Sequence, residues 1–221
     1  MKILVIDVGG THVKLFASGH AEPRVLPSGP GMTAAAMVAG VKELAAGWAC
    51  DAVAIGYPGV VRNDMPVTEP HNLAPGWVGF DYAAAFGKPV KMINDAAMQA
   101  LGAYERGKML FLGLGTGLGS ALVADGLVLP MELAHLPYRR GSFEQHVGAA
   151  ALRRLGKKKW MARVLDAAQR LADALLPDEV VLGGGNARLF DELPAGWRRV
   201  DNSRAFEGGL RLWQGAQGGP R

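Results

Sequence analysis

One feature constrains the fold most: a repeated unit in which an apolar segment runs into a glycine turn and a second apolar segment leads away. The first copy fills residues 2–18 around Gly9 and Gly10, and the second fills residues 108–125 around Gly115 and Gly117. Apolar runs that flank a glycine turn are typical of two paired strands. Because the copies begin about a hundred residues apart, the sequence predicts two similarly built halves.

The rest of the chain alternates between helical and strand patterns. Helices are predicted at 33–47, 96–106, 145–155, 157–176 and 206–213, with a short one from Asn186, and strands at 52–56, 90–93 and 180–185. Such alternation favours an α/β fold. We expect two domains, one of residues 1–106 joined by a C-terminal helix at 206–214, and one of residues 107–205. The glycine-rich tail at 215–221 is expected to fray.

Composition excludes several classes of protein. The chain of 221 residues is 49% hydrophobic and 20% charged, which excludes disordered, collagen-like and coiled-coil proteins. A single cysteine, Cys50, excludes a disulfide framework and a multi-cysteine zinc site. The first apolar run is too short for a secretory signal, and no run reaches the ~18–20 residues that span a bilayer. We therefore expect a soluble cytoplasmic protein with no membrane partner.

The net charge of +4 is too small to indicate a nucleic-acid partner, but it is unevenly distributed. Residues 139–163 contain eight Lys or Arg and one acid, a local charge of +7, so the rest of the chain carries −3. The basic residues are Arg139, Arg140, Arg153, Arg154, Lys157, Lys158, Lys159 and Arg163. Two interpretations remain open: a solvated basic face, the usual fate of a charge run, or a docking face for a polyanion.

Three glycine clusters each follow an apolar strand, at Gly9-Gly10, at 113–119 and at 183–185. Glycine lets backbone N–H groups approach a phosphate because no Cβ is in the way. Any one cluster is also consistent with an ordinary turn. The second cluster does not satisfy G-x-G-x-x-G and is flanked by two strands, so it is not a dinucleotide-binding turn. Residues 102–108 fit G-x-x-x-x-G-K, but Met109 follows where a P-loop needs Ser or Thr.

Longer strings carry a resemblance to a known family. The motifs IDVGGTHVK (6–14), NDA (94–96), LGLGTGLG (112–119) and ELAH (132–135) follow one another in order. In this order the chain resembles the ROK family of sugar kinases, and the strings ELAHLPYRRG (132–141) and LGKKKW (155–160) resemble its zinc-free polyphosphate glucokinase branch. The resemblance implies two actin-like, ribonuclease-H-like domains with a ligand cleft between them. It also implies transfer of a phosphoryl group from polyphosphate or ATP to the 6-hydroxyl of glucose.

The resemblance assigns roles to particular residues. Asp95 is implied as the general base, and Asp7 as the residue that holds Mg²⁺, directly or through water. The implied sugar-binding residues are Asn72, Asn94, Asp95, Glu132, His135 and Glu144. Phosphates are expected at Gly9, Gly10, Thr11, Lys14, Gly115, Thr116 and Gly117, and a nucleotide at Gly184, Gly185 and Asn186. Polyphosphate is expected to dock on Arg139, Arg140, Lys157, Lys158 and Lys159.

Several of these residues also have ordinary structural interpretations. Asn94-Asp95 is a good helix N-cap, Asp7 can hydrogen-bond its own turn, and Glu144 suits the start of a helix. His135 is a weak signal by itself. The sequence also departs from the family, since Ala134 stands where Gly is usual and the cysteine cluster of zinc-binding relatives is missing. No zinc is expected.

Two other functions remain open at this point. One is an ATP-dependent kinase of another hexose or of an N-acetylated amino sugar, and the other is a sugar-sensing regulatory protein without turnover. The chain reaches Asp7 at once, without the DNA-binding region that regulators carry first, and it has Asp95, so we expect catalysis and no nucleic-acid partner. Relatives are commonly dimers, and Trp160, Trp197 and Trp213 are candidates for either an interface or the core.

Overall fold

The computed structural model describes residues 1–20 and 22–214, so the glycine-rich tail predicted at 215–221 lies outside the described residues. The chain divides into two compact units. The first is Met1–Met98 together with the segment from Ala205, and the second is Gln99–Arg204. This division lies within a helix, whereas the sequence suggested a boundary between residues 106 and 107.

The first unit is built on a five-stranded sheet. Its strands are β1 (Ile3–Val8), β2 (His12–Ala17), β3 (Arg24–Pro27), β4 (Ala52–Tyr57) and β7 (Val90–Asn94), in the order β3-β2-β1-β4-β7. A small separate hairpin is formed by β5 (Val61–Arg62) and β6 (Met65–Pro66). The helices are α1 (Ala34–Leu44), α2 (Tyr82–Phe86), α3 (Asp95–Ala103), which runs on into the second unit, and α7 (Arg204–Gln214). Every residue of β1 and β4 is buried, which is typical of strands covered on both faces.

The second unit has a sheet of the same plan. Its strands are β8 (Lys108–Leu114), β9 (Leu118–Ala124), β10 (Leu127–Met131), β11 (Glu179–Gly183) and β12 (Trp197–Arg199), in the order β10-β9-β8-β11-β12. Three α-helices follow β10: α4 (Phe143–Val147), α5 (Ala149–Leu155) and α6 (Lys157–Leu175). Short 3₁₀ helices stand at Leu133–His135 and Ala187–Leu189. In both sheets three antiparallel strands are continued by two parallel ones.

The prediction of two similarly built halves is therefore confirmed, although β3, β5, β6, β10, β12, α2 and the 3₁₀ helix at Leu133–His135 were not predicted. The predicted helix at 145–155 is two helices, broken at Gly148. Gly148 has extended backbone, with φ −69° and ψ 172°. A Cβ there would lie 2.8 Å from the carbonyl oxygen of Thr116, so the break brings the helix pair against the second glycine turn.

The tryptophans divide between core and partial exposure. Trp160 is fully buried and donates from Nε1 to the carbonyl of Val147 (2.8 Å), so its interpretation as an interface residue is wrong. Trp197 and Trp213 are half-buried. Among the helices of residues 1–20 and 22–214, none combines the length and apolar character that crossing a membrane requires.

Candidate active site

Candidate residues of the first unit stand at the carboxyl ends of neighbouring parallel strands. Asp7 is the last residue but one of β1, Asn94 ends β7, and β4 runs between these strands. Gly56 on β4 is the register partner of Asp7. A Cβ on Gly56 would lie 3.4 Å from the Cα of Asp95. One glycine thus separates the two candidate carboxylates along this edge, where open α/β sheets bind ligands.

Asp7 is a buried carboxylate, only 9% exposed. Burial raises its pKa to about 6, and Lys14, its cross-strand partner, opposes that rise. A cation beside Asp7 would favour the charged form that burial penalises. The glycine turn is closed by its own backbone, since the N–H of Gly9 donates to the carbonyl of His12 (3.0 Å). Asp7 is therefore not needed to close that turn.

Asp7 fits a magnesium ion that is shared with phosphate. Among the described residues, no group of three or more His, Cys, Asp or Glu side chains could hold a metal. Mg²⁺ does not need such a cage, because it commonly binds through one or two carboxylates, substrate phosphates and water. The single buried carboxylate of Asp7, beside the first glycine turn, matches that donor set.

Asn72 lies against the first glycine turn. A Cβ on Gly10 would lie only 3.1 Å from the Cβ of Asn72. The loop that carries Asn72 is tied by Glu69, whose carboxylate accepts N–H bonds from Gly76 and Trp77 (both 3.1 Å) and from Val78 (3.2 Å). Burial raises the pKa of Glu69, but these three backbone bonds outweigh it and hold the pKa below its usual value. Sequence reasoning missed Glu69.

Asn94 and Asp95 begin α3, as the capping interpretation predicted. Asn94 Oδ1 accepts from the backbone N–H of Ala97 (3.1 Å), and its Nδ2 donates to the carbonyl of Gly59 (3.2 Å). Asp95 Oδ1 accepts from the backbone N–H of Ala96 (2.7 Å). The side chain of Asn94 is thus engaged at both ends within the first unit. Asp95 is half-buried at the first position of the helix.

Glu144 contacts the second glycine turn, within the second unit. A Cβ on Gly117 would overlap Oε2 of Glu144. Helix α4 is held in this orientation by a capping box between Ser142 and Gln145. The backbone N–H of Ala149, which starts α5, donates to the carbonyl of Thr116 (3.0 Å). The structure therefore brings a predicted sugar-binding residue and a predicted phosphate-binding turn together.

The third glycine cluster also packs on the second turn. Asn186 donates from its backbone N–H to the carbonyl of Leu114 (3.0 Å) and from Nδ2 to that of Gly115 (3.3 Å). Gly184 has φ +80°, and a Cβ there would lie 2.6 Å from the nitrogen of Leu114. Glycine is required at that position both for its conformation and for the close backbone approach. The predicted nucleotide-binding and phosphate-binding residues of the second unit thus form one group.

Glu132 and His135 flank the 3₁₀ turn that follows β10. Glu132 Oε2 lies 3.7 Å from His135 Nε2, and both side chains are more than half exposed. Ala134, which replaces the family glycine, is buried in the core and has no positive φ, so its Cβ is accommodated. Helix α4 packs against this turn, and the N–H of Phe143 donates to the carbonyl of Leu136 (3.2 Å).

A buried serine ties this turn to β9. The hydroxyl of Ser120 donates to the carbonyl of Met131 (2.8 Å) and accepts from the N–H of Leu133 (3.2 Å). Ser120 is 1% exposed, and its two bonds bracket Glu132 on both sides. Sequence reasoning missed Ser120, whose only signal is a polar residue on a buried strand directly after Gly119.

The basic segment, residues 139–163, runs from a loop through α4 and α5 into the first turns of α6. Arg139 pairs with Asp166 (3.1 Å), and Lys157 lies 3.9 Å from Asp191. Arg140, Lys158 and Lys159 are exposed. Helix α6 begins at Lys157, as predicted, after Gly156, which provides no side-chain cap. Three cations therefore stand at the positive end of a helix dipole, where each costs ~0.3–1 kcal/mol.

A cavity of about 570 Å³ lies at the other edge of the second sheet. It is lined by Glu105, Arg106, Gly107, Asp178, Glu179, Gly196 and Trp197. None of the predicted site residues lines it. Its acids have partners within the unit, because Asp178 accepts from the N–H of Lys108 (2.7 Å) and Glu179 pairs with Arg198 (2.5 Å).

Comparison with known proteins shows similarity to sugar kinases. The chain is 27% identical over 208 residues to the polyphosphate glucokinase of Mycobacterium tuberculosis strain H37Ra, an alignment covering 86% of this chain and 74% of that protein. The fold is similar to that of an inorganic polyphosphate/ATP-glucomannokinase from Arthrobacter sp. strain KM, with a TM-score of 0.83, 24% identity, and 98% and 99% of the two chains covered. It is also similar to a ROK family glucokinase from Streptomyces griseus, solved with glucose and AMPPNP, with a TM-score of 0.78, 17% identity, and 96% and 99% covered.

The fold shared with these sugar kinases is the two-domain actin-like fold that the motifs implied. The profile of the ROK family matches residues 3–130, more than half of the chain. The matched region contains the first two glycine turns and the Asn94-Asp95 pair. The chain belongs to the ROK family.

Proposed function

We propose that this protein is a sugar kinase that transfers a phosphoryl group to the 6-hydroxyl of glucose, with polyphosphate as donor and ATP as a second donor. The observation that carries the proposal is the pair of carboxylates, Asp7 and Asp95, at the edge of one sheet, where Gly56 is the register partner of Asp7 and lies close to the Cα of Asp95. One carboxylate suits a metal ion and the other suits a base, which are the two groups that phosphoryl transfer needs. The likeness to polyphosphate glucokinases supports the same reaction.

Asp95 acts as the general base in this proposal. It accepts the proton of the sugar hydroxyl while the oxygen forms a bond to phosphorus and the bond from phosphorus to the donor's bridging oxygen breaks. A positioned carboxylate contributes ~10²–10⁴-fold through such a proton transfer. The neighbouring Asn94 caps the helix, which supports a fixed orientation for Asp95.

Each unit offers groups that can neutralise phosphate charge. Asp7 holds Mg²⁺, which when bound offsets negative charge on the transferred phosphoryl group and its donor. Lys14 and the N–H groups of Gly10 and Thr11 bind phosphate oxygens. The turn at Gly115, Thr116 and Gly117 supplies further backbone donors, which act without the reorganisation that free water would need.

The sugar is bound by side chains that can make directional hydrogen bonds to hydroxyls. Glu132, His135 and Glu144 do so in the second unit, and their common packing around α4 supports a shared role. Asn72, Asn94 and Asp95 do so in the first unit. Because both ends of the Asn94 side chain have backbone partners, its contribution is expected to be the smallest of the six.

The basic segment favours polyphosphate as the donor. Lys157, Lys158 and Lys159 stand at an uncapped helix start without an acid in its first turn. A chain of phosphates along this face would offset the unfavourable dipole interaction and release counterions. The exposed pairs of Arg139 and Lys157 with acids are worth only ~0–1 kcal/mol each, so a polyanion can displace them.

ATP is supported as a second donor by the third glycine cluster. Gly184, Gly185 and Asn186 are held against the phosphate-binding turn by the bonds of Asn186 to Leu114 and Gly115. Backbone donors grouped in this way suit a triphosphate and its nucleoside. The basic segment and this cluster therefore predict different determinants for the two donors.

The test is a phosphorylation assay with a panel of sugars and two donors. Glucose, mannose and N-acetylmannosamine are each offered with polyphosphate and with ATP, at salt from 50 to about 500 mM. We expect glucose to be phosphorylated, and we expect polyphosphate-dependent turnover to fall more steeply with salt than ATP-dependent turnover, because docking releases counterions.

Each departure from that result has a defined meaning. Turnover with ATP alone removes the polyphosphate assignment and leaves a ROK kinase. Preference for an N-acetylated amino sugar replaces glucose as the substrate. Polyphosphate turnover that does not change with salt removes the basic segment as the docking face. Sugar binding without turnover from either donor makes the protein a sugar sensor.

A further inference from the structure

His146 is a histidine that the proposed function does not use. It lies on α4, is half-buried, and meets the ring of Tyr138 edge-on with centroids 5.2 Å apart. Its Nε2 borders Gly141, since a Cβ added there would lie 3.5 Å from that nitrogen. The imidazole is therefore held between Tyr138 and Gly141 and is partly exposed.

Three guanidinium groups from three different segments act electrostatically on this imidazole. Arg139 lies in the loop before α4, with its guanidinium 5.3 Å from the Tyr138 ring centre. Arg154 on α5 donates from Nη2 to the carbonyl of Gln145 (2.9 Å), the residue before His146. Arg163 is half-buried on α6, which packs against α4. Burial lowers the pKa of His146, and the charges of Arg163, Arg154 and Arg139 lower it further.

The acids near this cluster do not balance it. Asp166 on α6 accepts from the Tyr138 hydroxyl and pairs with Arg139 (3.1 Å) and Arg170 (3.3 Å), so its two oxygens are already shared. Those bonds hold the pKa of Asp166 down at about 2, with the Tyr138 bond the largest cause, and it stays charged. Glu144 is on the same helix as His146, but its carboxylate lies against Gly117. Positive charge is therefore in excess around the imidazole.

The chemistry of this cluster matches a condensed phosphate. Guanidinium groups bind phosphate oxygens through paired N–H donors, and a chain with a charge on every unit can engage several of them at once. Lys159 and Arg163 are one helical turn apart on α6, about 6 Å along its axis. The cluster is therefore next to the lysines at the start of α6. A single phosphate would reach only part of this row.

We propose that His146, Arg139, Arg154 and Arg163 form a subsite for a condensed phosphate chain, and that binding of the chain is coupled to proton uptake by His146. The subsite rests on the proposed function in taking polyphosphate as the ligand. It adds three side chains that had no docking role, His146, Arg154 and Arg163, and a dependence on pH.

The direction of that dependence follows from linkage. An anion beside His146 favours the imidazolium, so the pKa of His146 is higher in the complex than in the free protein. Binding then takes up a proton at pH values between the two pKa values. Affinity is greatest below the free-protein pKa, which lies under the usual ~6.5, and falls as pH rises. The affinity falls ~10-fold in total for each unit by which binding raises the pKa of His146.

The test is calorimetric titration of the whole protein with tripolyphosphate, without sugar, at pH 5.5, 6.5 and 8 and in two buffers of different ionisation enthalpy. Tripolyphosphate itself titrates in this range, so the measured quantity is the difference between the wild type and His146→Gln. We expect the wild type to take up more protons and to lose ~10-fold more affinity between pH 5.5 and 8.

Two controls separate the subsite from general charge. His20→Gln removes a histidine that also lies against an aromatic ring, Trp48 (4.8 Å), but in the first unit, and it should behave as the wild type does. Arg163→Gln should weaken tripolyphosphate binding ~10-fold at pH 8, as expected for loss of a charge-assisted hydrogen bond. Equal pH dependence and proton uptake in the wild type and His146→Gln would overturn the proposal.

Failure of the subsite proposal and failure of the proposed function give different experimental results. Tripolyphosphate binding with the expected dependence on His146, but no phosphoryl transfer from polyphosphate to any sugar, keeps the subsite and removes the donor assignment. Phosphoryl transfer from polyphosphate whose Michaelis constant has the same pH dependence in the wild type and His146→Gln keeps the kinase and removes the subsite.

Discussion

The two units share a strand order and differ at one equivalent position. In the first sheet Asp7 is paired with Lys14 on one side and Gly56 on the other. In the second sheet the same place is filled by Gly113, which is paired with Gly119 and Gly183. Both residues precede the end of the strand that leads into a glycine turn. One unit carries a charged pair there, and the other carries three glycines.

From this difference we infer that the two units contribute different chemistry. A carboxylate, a lysine and the nearby Asp95 can hold a metal ion and move a proton. Three adjacent glycines remove side chains so that backbone groups can approach one another and a ligand closely. The candidate side chains of the second unit stand outside its sheet, on α4 and the 3₁₀ turn after β10. We therefore expect variants of the first unit to lower turnover and variants of the second to weaken binding.

The largest effect is expected for Asp95→Asn. Loss of the base should lower kcat by ~10²–10⁴-fold. Glucose affinity should change little, because the amide keeps the size of the side chain and can still accept from the N–H of Ala96. Turnover by initial rates and glucose affinity by calorimetry check this, and turnover close to that of the wild type would remove Asp95 as the base.

Asp7→Asn should lower turnover and raise stability together. Its pKa is raised from 3.8 to about 6, so the folded state loses stability as pH rises from about 4 to 6. At pH 7 the ionised group therefore costs up to ~3 kcal/mol of unfolding free energy, which asparagine restores. Turnover should fall on the order of 10²-fold through loss of charge stabilisation.

Urea unfolding at pH 4.5 and 7 measures the stability change. The wild type should be less stable than the variant at pH 7, and about two thirds of that difference should be lost at pH 4.5, which lies between the two pKa values. Asp51→Asn is a control, since Asp51 is exposed and accepts from the N–H of Lys2 (2.7 Å). A destabilised Asp7→Asn at pH 7 would contradict the cost of the buried charge.

Two glycines of the second turn test binding in the second unit. Alanine at Gly117 would displace the carboxylate of Glu144, whereas nothing lies within 4 Å of a Cβ at Gly115. Neither glycine has a positive φ. Gly117→Ala should therefore raise the KM for glucose ~10-fold, about the effect of losing one hydrogen bond to a charged group. Gly115→Ala should leave that KM unchanged and raise the KM for the donor.

Steady-state kinetics with each substrate varied in turn separate these outcomes. If both variants raise the KM for the donor alone, Glu144 does not bind the sugar. If Gly117→Ala lowers kcat without changing either KM, the contrast between the two units fails at this turn.

The smallest effect is expected for Ser120→Ala. Both Ser120 and Ser18 bridge a backbone N–H and a carbonyl, Ser18 at Ile3 (3.0 and 3.4 Å). Alanine at either site should cost ~1–2 kcal/mol of unfolding free energy. Only Ser120→Ala should also raise the KM for glucose, by roughly 3-fold, about 0.6 kcal/mol on the scale where 1.4 kcal/mol is tenfold. Unfolding and kinetics of the two variants are compared, and equal kinetics would deny Ser120 a positioning role.

Local patterns predicted much of the fold and the site. Apolar runs and glycine turns identified the two long hairpins, and the Asn94-Asp95 pair identified the start of α3 to within one residue. A glycine, Gly148, also stands at the break between α4 and α5. The break is explained only by the close approach of this residue to Thr116 in the fold. Short strands such as β12 (Trp197–Arg199) carry too few residues for a periodic pattern.

The residues that support the candidate site could not be predicted from local sequence patterns. Ser120 and Glu69 act through side-chain bonds to backbone atoms that are distant in sequence or lie in an irregular loop. The roles of His146 and Arg163 depend on the packing of α4 against α6. The basic segment was visible as a sum of charges, but its division between a helix start and an arginine cluster required the fold.

The most direct test of the account is ³¹P NMR of the purified protein incubated with glucose, Mg²⁺ and either polyphosphate or ATP. We expect glucose 6-phosphate from both donors, and at most about 1% of that amount when Asp95→Asn protein is used for the same time. Absence of any phosphorylated sugar with either donor, in protein that binds glucose by calorimetry, would contradict it.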